Sequence, residues 1–154
     1  MYRKKVDKKD GIVYNTLRFD MVIDVRKCLK QGKFCDDFSF VFEPTADMIE
    51  IPYVEFNGAV DVKGKFHILE DDSLEVEGEI AYRLKGLCSR CLNETQTTVK
   101  YTFHEYFVVE DNEEDYLQRG GLADLTEVVK DAVLLSMPAS LLCEDGCEMI
   151  AYHS

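Results

Sequence analysis

Two consecutive segments of polar–apolar alternation, residues 60–68 and 74–84, constrain the fold more than any other feature of this sequence. In VDVKGKFHI and LEVEGEIAYRL every even-numbered position is apolar or small, whereas most odd-numbered positions are polar. A period of two is typical of antiparallel strands that bury one face and expose the other. The intervening residues, LEDDS, are rich in turn formers. The two segments therefore predict a β-hairpin.

The side chains also predict the register of this hairpin. If the numbers of paired residues sum to 142, Lys65 faces Glu77 on the outer face and Gly64 faces Gly78 on the inner face. The other pairs are Val62–Ile80, Phe66–Val76, Ile68–Leu74, Lys63–Glu79 and His67–Glu75. Each cross-strand pair of opposite charge contributes about 0.2–1 kcal/mol. The facing glycines indicate strong curvature of the sheet, or the close approach of another element.

Further elements follow the same kind of pattern. Residues 98–109 alternate as a third strand, and residues 38–42 form a short strand by composition. Asp124 is a suitable N-cap with Glu127 three residues later, so a helix is predicted to begin there. Pro138 prevents the helix from continuing. Its predicted apolar stripe is Leu125, Val128, Val129, Ala132 and either Leu134 or Leu135.

These elements predict a single α+β domain over residues 1–154. A chain of 154 residues can bury a core without disulfides. The predicted architecture is a curled, barrel-like antiparallel sheet of about five or six strands, covered by the C-terminal helix. Within the domain we expect a flexible start at 1–15, an acidic mobile loop at 110–121 and a cysteine-containing tail at 143–154.

Charge and hydropathy narrow the functional classes. The chain has 18 basic and 30 acidic residues, a formal net charge of −12, which argues against nucleic-acid binding over the whole surface. No apolar run approaches the roughly 18 residues of a membrane span. The N-terminal MYRKKVDKKDG leads into no apolar stretch, unlike a secretory signal. We therefore expect a cytoplasmic protein without a membrane partner.

Four of the six cysteines form two close pairs. Cys88 and Cys91 lie in the turn between two predicted strands, Cys143 and Cys147 follow the predicted helix, and 51 residues (92–142) separate the pairs. In a reducing compartment such pairs indicate metal or redox chemistry rather than structural bridges. Structural zinc takes four ligands in a tetrahedron, and two close pairs supply them. The spacing predicts a structural zinc site with four cysteine ligands.

Two other interpretations of these cysteines remain open. Cysteine is among the most buried residue types, so the four could be unliganded thiols of the core. They could also serve a thiol-redox or metal-sensing protein, although Cys88 lies between strands rather than at a helix N-terminus, where reactive thiols are favoured. Cys28 and Cys35 lie in a poorly patterned region. We expect them to be ordinary thiols that could substitute as ligands.

The sequence carries no established catalytic motif. It contains no P-loop, no G-x-S-x-G and no H-E-x-x-H, so we expect neither an enzyme nor a small-molecule substrate. Four cations near the cysteine turn have no predicted cross-strand partner: Arg83, Lys85, Arg90 and Lys100. Such a cluster is either simply solvated or the one surface of this acidic protein that could face RNA.

The order of these features resembles the YceD family of large ribosomal RNA subunit accumulation proteins. The resemblance covers residues 54–147 and rests on CSRCL, an acidic spacer and DLTEVVKDAVLLSMPASLLC. It implies a bacterial cytoplasmic factor in the synthesis, processing or stability of 23S rRNA, with large-subunit precursor rRNA or a large-subunit ribosomal protein as partner. No catalytic residue is implied. Many relatives continue with a segment similar to G-L-C-P-x-C-G-x-N-L, whereas this chain ends in EMIAYHS.

Overall fold

A computed structural model describes residues 21–143 of the chain. This part is mostly β-sheet, with one short helix near its start and a longer one near its end, and is α+β as predicted. The elements are β1 (Val22–Asp24), α1 (Val25–Lys30), β2 (Cys35–Phe42), β3 (Val54–Phe56), β4 (Val60–Ile68), β5 (Leu74–Leu87), β6 (Glu94–Val108), β7 (Tyr116–Leu117), β8 (Leu122–Asp124) and α2 (Thr126–Ser136).

The predicted hairpin is β4–β5, and its register is confirmed. Val62 pairs with Ile80 and Lys65 pairs with Glu77, as do the other residues whose numbers sum to 142. On the outer face the Lys65 ammonium lies 4.0 Å from the Glu77 carboxylate. Both side chains are exposed, so this ion pair contributes little to stability. The inner face is apolar and buried, which is what fixes the register.

The facing glycines are explained by the close approach of the facing strand's backbone and of two phenylalanine rings. Phe38 of β2 pairs with Gly64, and Phe103 of β6 pairs with Gly78. A Cβ on Gly64 would lie 2.9 Å from the Phe38 ring, and one on Gly78 would lie 2.7 Å from the Phe103 ring. The two rings therefore cover the space that the glycines leave, in the manner of aromatic rescue of strand glycines.

The expected barrel-like closure is wrong. The large sheet has the strand order β2-β4-β5-β6-β7, with β3 also paired to β5, and in residues 21–143 no strand pair joins its edges. β1 and β8 form a separate two-stranded sheet. The glycine pair marks a local close approach of the β4 and β5 backbones, and this approach does not close the sheet upon itself.

Helix α2 packs on β5 and β6 as predicted, but its buried face differs at one end. The predicted N-cap at Asp124 is wrong by one residue, because Leu125 is the N-cap of the helix and makes no side-chain capping bond. Asp124 nevertheless accepts a hydrogen bond from the Thr126 N–H at 3.0 Å, so it supports the helix start from one position earlier. Leu125, Val128, Val129 and Ala132 are buried as predicted, together with Val133. Leu134 and Leu135 are instead exposed, because the helix turns Val133 toward the sheet.

Two further contacts connect elements of the fold. The Tyr82 hydroxyl lies 2.9 Å from the Ser136 Oγ, which joins β5 to the end of α2. The predicted acidic loop contains β7, which pairs in parallel with β6; the mobility of this loop stays a prediction.

In the described residues, neither α1 nor α2 has the length and apolar character required to cross a membrane.

Candidate metal centre

The first half of the site is the turn between β5 and β6. The Cys88 N–H donates to the Asn93 carbonyl at 2.9 Å, and the Leu92 N–H donates to the Cys88 carbonyl at 2.8 Å. Leu92 adopts a positive φ of 62°, which is uncommon for a residue with a side chain. The Arg90 N–H points at the Cys88 Sγ, 3.4 Å away. The backbone thus turns around the Cys88 sulfur and supplies it with a donor.

The second half is the segment that follows α2. Leu141 is buried, and its carbonyl oxygen accepts a hydrogen bond from the Ser89 N–H at 2.8 Å. This bond and the burial of the leucine hold the segment against the turn. As a result the Cys143 Sγ lies 3.5 Å from the Cys91 Sγ.

The two halves of the site therefore bring three cysteine sulfurs into one cluster. The Sγ atoms of Cys88, Cys91 and Cys143 all lie within 4.8 Å of one another. Four thiolates bound tetrahedrally at about 2.3 Å from a zinc ion are about 3.8 Å apart, whereas a disulfide bond is about 2.05 Å long. The 3.5 Å between Cys91 and Cys143 therefore matches ligands that share an ion. Cys88 is buried, and the other two are half-buried, so the cluster is closed on one side.

The structure brings together three of the four predicted ligands. Cys147 lies outside the described residues. Among the cysteines that the structure describes, Cys28 and Cys35 are not part of the cluster. Cys28 is half-buried, and burial raises the pKa of its thiol. Cys35 is exposed at the start of β2.

A second group of possible ligands lies on the outer face of the sheet and was not predicted. The His104 Nε2 lies 2.6 Å from a Glu75 carboxylate oxygen, and its Nδ1 lies 3.9 Å from a Glu77 oxygen. These three residues also satisfy the spacing of a metal site. The signal that could have found them is the β5–β6 register, which sets His104 opposite Glu77. All three are accounted for by cross-strand pairing on a solvated face.

The four predicted RNA-facing cations are all exposed. Three of them lie on the outer face of the sheet: Arg83 and Lys85 of β5, and Lys100 of β6. Lys100 pairs with Ala81, which lies two and four residues from Arg83 and Lys85 and therefore on the same face of β5. Arg90 projects from the cysteine turn. Lys85 has a partner that the sequence did not indicate: its Nζ lies 3.6 Å from a Glu55 carboxylate oxygen on β3. An exposed pair of this kind contributes only about 0–1 kcal/mol.

The fold and the site together define a β-sheet domain with a sulfur-rich centre at the end of its longest hairpin. A family model described as "Large ribosomal RNA subunit accumulation protein YceD" matches residues 76–152, which is 77 of the 154 residues. The chain belongs to the YceD family. The matched part contains most of β5, all of β6 and α2, and every predicted ligand and cation. Comparisons with curated proteins and with solved structures gave no match.

Proposed function

We propose that Cys88, Cys91, Cys143 and Cys147 hold a structural zinc ion. The observation that carries this proposal is the convergence of three sulfurs within 4.8 Å of one another. Cys147 lies four residues beyond Cys143, at most about 14 Å along an extended chain, and so can supply the fourth ligand. Four thiolates leave no open coordination position for catalysis, and they select zinc or iron–sulfur centres over magnesium or calcium.

The zinc ion fastens the β5–β6 turn to the segment after α2. Binding of structural zinc contributes on the order of 10 kcal/mol in small zinc domains, comparable with a whole domain stability of about 5–15 kcal/mol. Occupancy therefore decides whether the turn is rigid. Arg90, which lies between Cys88 and Cys91, is held in place by the same ion.

We propose that the protein is a non-enzymatic factor of the bacterial cytoplasm that acts in the accumulation of 23S rRNA. Membership of the YceD family supports this function. Its partner is large-subunit precursor rRNA or a large-subunit ribosomal protein, contacted through Arg83, Lys85, Arg90 and Lys100. Because the chain carries a net charge of −12, contact with phosphates is confined to this patch.

Charge reversal in the patch tests this assignment. Lys85→Glu combined with Arg90→Glu is expected to weaken co-sedimentation with large-subunit precursors, because phosphate contacts depend on these cations. Lys30→Glu combined with Lys63→Glu is the matched control, since it changes the net charge equally at exposed positions on α1 and β4. Equal co-sedimentation of the two double variants would remove the patch from the proposal.

A thiol-redox or metal-sensing role is the second candidate. The half-buried Cys91 and Cys143, whose sulfurs are 3.5 Å apart, could also form a disulfide after loss of metal, by exchange with a small-molecule disulfide that takes up both electrons and both protons as two thiols. Neither Cys88 nor Cys91 lies at a helix N-terminus, where a lowered thiol pKa favours such chemistry. One zinc per chain with slow alkylation supports the structural site. Rapid alkylation without loss of metal supports the redox role.

A further inference from the structure

The outward face of α2 carries two large apolar side chains that the described fold leaves in solvent. Leu134 is 55% exposed and Leu135 is 72% exposed. Asp131 lies three and four residues before them and therefore on the same face of the helix. Val129 and Val133 belong to the opposite face, which packs in the core. Much of the apolar surface of this stripe is therefore left uncovered within residues 21–143.

A pocket of about 340 Å³ lies beside this stripe, between α2 and β6. Its lining combines apolar walls with two carboxylates. The residues that matter here are Tyr101, Phe103, Leu134 and Leu135 for the walls, and Glu105 and Asp131 for the carboxylates. Glu105 interrupts the apolar face of β6, so its side chain enters the pocket from the sheet side. An apolar pocket with a few convergent polar groups is the usual form of a binding site.

The pocket is electrostatically suited to a cation. Asp131 accepts a hydrogen bond from the Tyr116 hydroxyl at 2.6 Å. Burial raises the pKa of Glu105, and Asp115 and Asp131 add to the effect, while His104 partly offsets it. Within residues 21–143, no lysine or arginine forms an ion pair with Glu105 or Asp131. Glu105 is therefore half-buried beside the exposed Asp131, and among residues 21–143 neither carboxylate has a compensating lysine or arginine.

We infer that this pocket docks a polypeptide segment in which a lysine or arginine is flanked by aliphatic residues. The cationic head contacts Glu105 and Asp131, while the aliphatic neighbours cover Leu134 and Leu135. Lysine and arginine suit such a pocket because their long stems cover apolar surface and their heads reach polar groups. RNA does not fit, since its phosphates would be repelled by both carboxylates.

The net charge of the protein adds to this selectivity. At −12, the chain attracts a basic polypeptide at long range and speeds its association. The inference goes beyond the proposed function, because within residues 21–143 none of the cysteines and none of the four patch cations lines the pocket. Failure of the zinc site or of the RNA-facing patch would leave it unaffected.

A display library of random dodecapeptides, selected against the full chain, tests the inference. We expect enrichment of peptides with lysine or arginine next to aliphatic residues. A synthetic peptide with the enriched sequence, titrated by fluorescence anisotropy, should bind Glu105→Gln/Asp131→Asn at least about fivefold more weakly than the wild type. Leu135→Gln should weaken binding similarly, and at 72% exposure this substitution leaves folding intact.

Glu110→Gln combined with Glu114→Gln is the matched control, because it makes the same change of net charge at exposed loop positions. Its affinity for the peptide should change by less than about twofold. The inference is overturned if no peptide is enriched, or if the enriched peptides lack a cation. It is also overturned if both charge variants lose affinity equally, or if Leu135→Gln binds as tightly as the wild type.

Discussion

The backbone N–H of Ser89 and the carbonyl oxygen of Leu141 form a hydrogen bond of 2.8 Å. This bond joins the turn between β5 and β6 to the segment that follows α2, although the two are far apart in sequence. The buried Leu141 side chain reinforces the same contact. Together they set Cys143 beside Cys91, so part of the ordering required for metal binding is already provided by the fold.

Metal content is the most direct prediction from this geometry. The reduced protein is expected to bind about one zinc per chain, and Cys143→Ser to weaken zinc binding by at least about tenfold, since loss of even an outer-shell partner of a metal ligand costs this much. Competition with a chromophoric chelator measures the affinity, and elemental analysis measures the content.

Cys35→Ser is the control for this measurement, because Cys35 is exposed and lies outside the sulfur cluster. It should retain the zinc content and the affinity of the wild type. A zinc affinity that is the same in Cys143→Ser and Cys35→Ser would contradict the proposed site.

Truncation of Leu141 tests whether its burial supports the site. Leu141 is 1% exposed, so Leu141→Ala is expected to lower the free energy of unfolding by about 2–5 kcal/mol. Leu142→Ala, at 42% exposure, should change it by no more than about 1 kcal/mol. Urea denaturation of the metal-free proteins gives both values. Similar losses in the two variants would show that the Leu141 side chain does not hold the segment in place.

The glycine pair gives a prediction about the sheet. A Cβ on Gly64 would lie 2.1 Å from the Glu77 carbonyl oxygen and 2.6 Å from the Gly78 Cα, and backbone atoms cannot move aside cheaply. Gly64→Ala is therefore expected to destabilise the protein by about 1–3 kcal/mol or more, as measured by urea denaturation. Thr98→Ala, at an exposed position of β6, should change stability by less than about 0.5 kcal/mol. A Gly64→Ala protein as stable as the wild type would rule out this close approach.

The sequence predicted the parts of the fold that depend on local periodicity. The β4–β5 register followed from the alternation together with the opposite charges that one register pairs on the outer face, because a shift by one residue would have exposed the whole apolar face. The role of Gly64 and Gly78 could not be decided in this way. Phe38 lies on β2 and Phe103 lies on β6, outside the β4–β5 hairpin. The alternation within the hairpin does not show which residues of other strands will lie opposite its glycines.

Contacts between segments that are distant in sequence were the least predictable. Lys85 was expected to have no partner, but β3 pairs with β5 and brings Glu55 to it. Leu134 or Leu135 was expected in the core, whereas Val133 takes that place. The first outcome depends on which strand pairs with β5, and the second depends on how α2 is rotated against the sheet. The polar–apolar pattern within a single segment determines neither. The spacing of the cysteines predicted that Cys143 would lie near Cys88 and Cys91, because two close pairs can share one tetrahedral metal ion; the part of Cys147 stays a prediction.

The ionisation of Glu105 makes the stability of the protein depend on pH. Burial, and next Asp115, raises the pKa of this carboxyl above its reference value of 4.5. Between the unfolded and the folded pKa the native state binds more protons, so the stabilisation from Glu105 is lost as pH rises through the folded pKa. The free energy of unfolding of Glu105→Gln minus that of the wild type should therefore be larger at about pH 7 than at about pH 4, because only the wild type loses stability over this range. An equal difference at both pH values for Glu105→Gln would contradict the raised pKa.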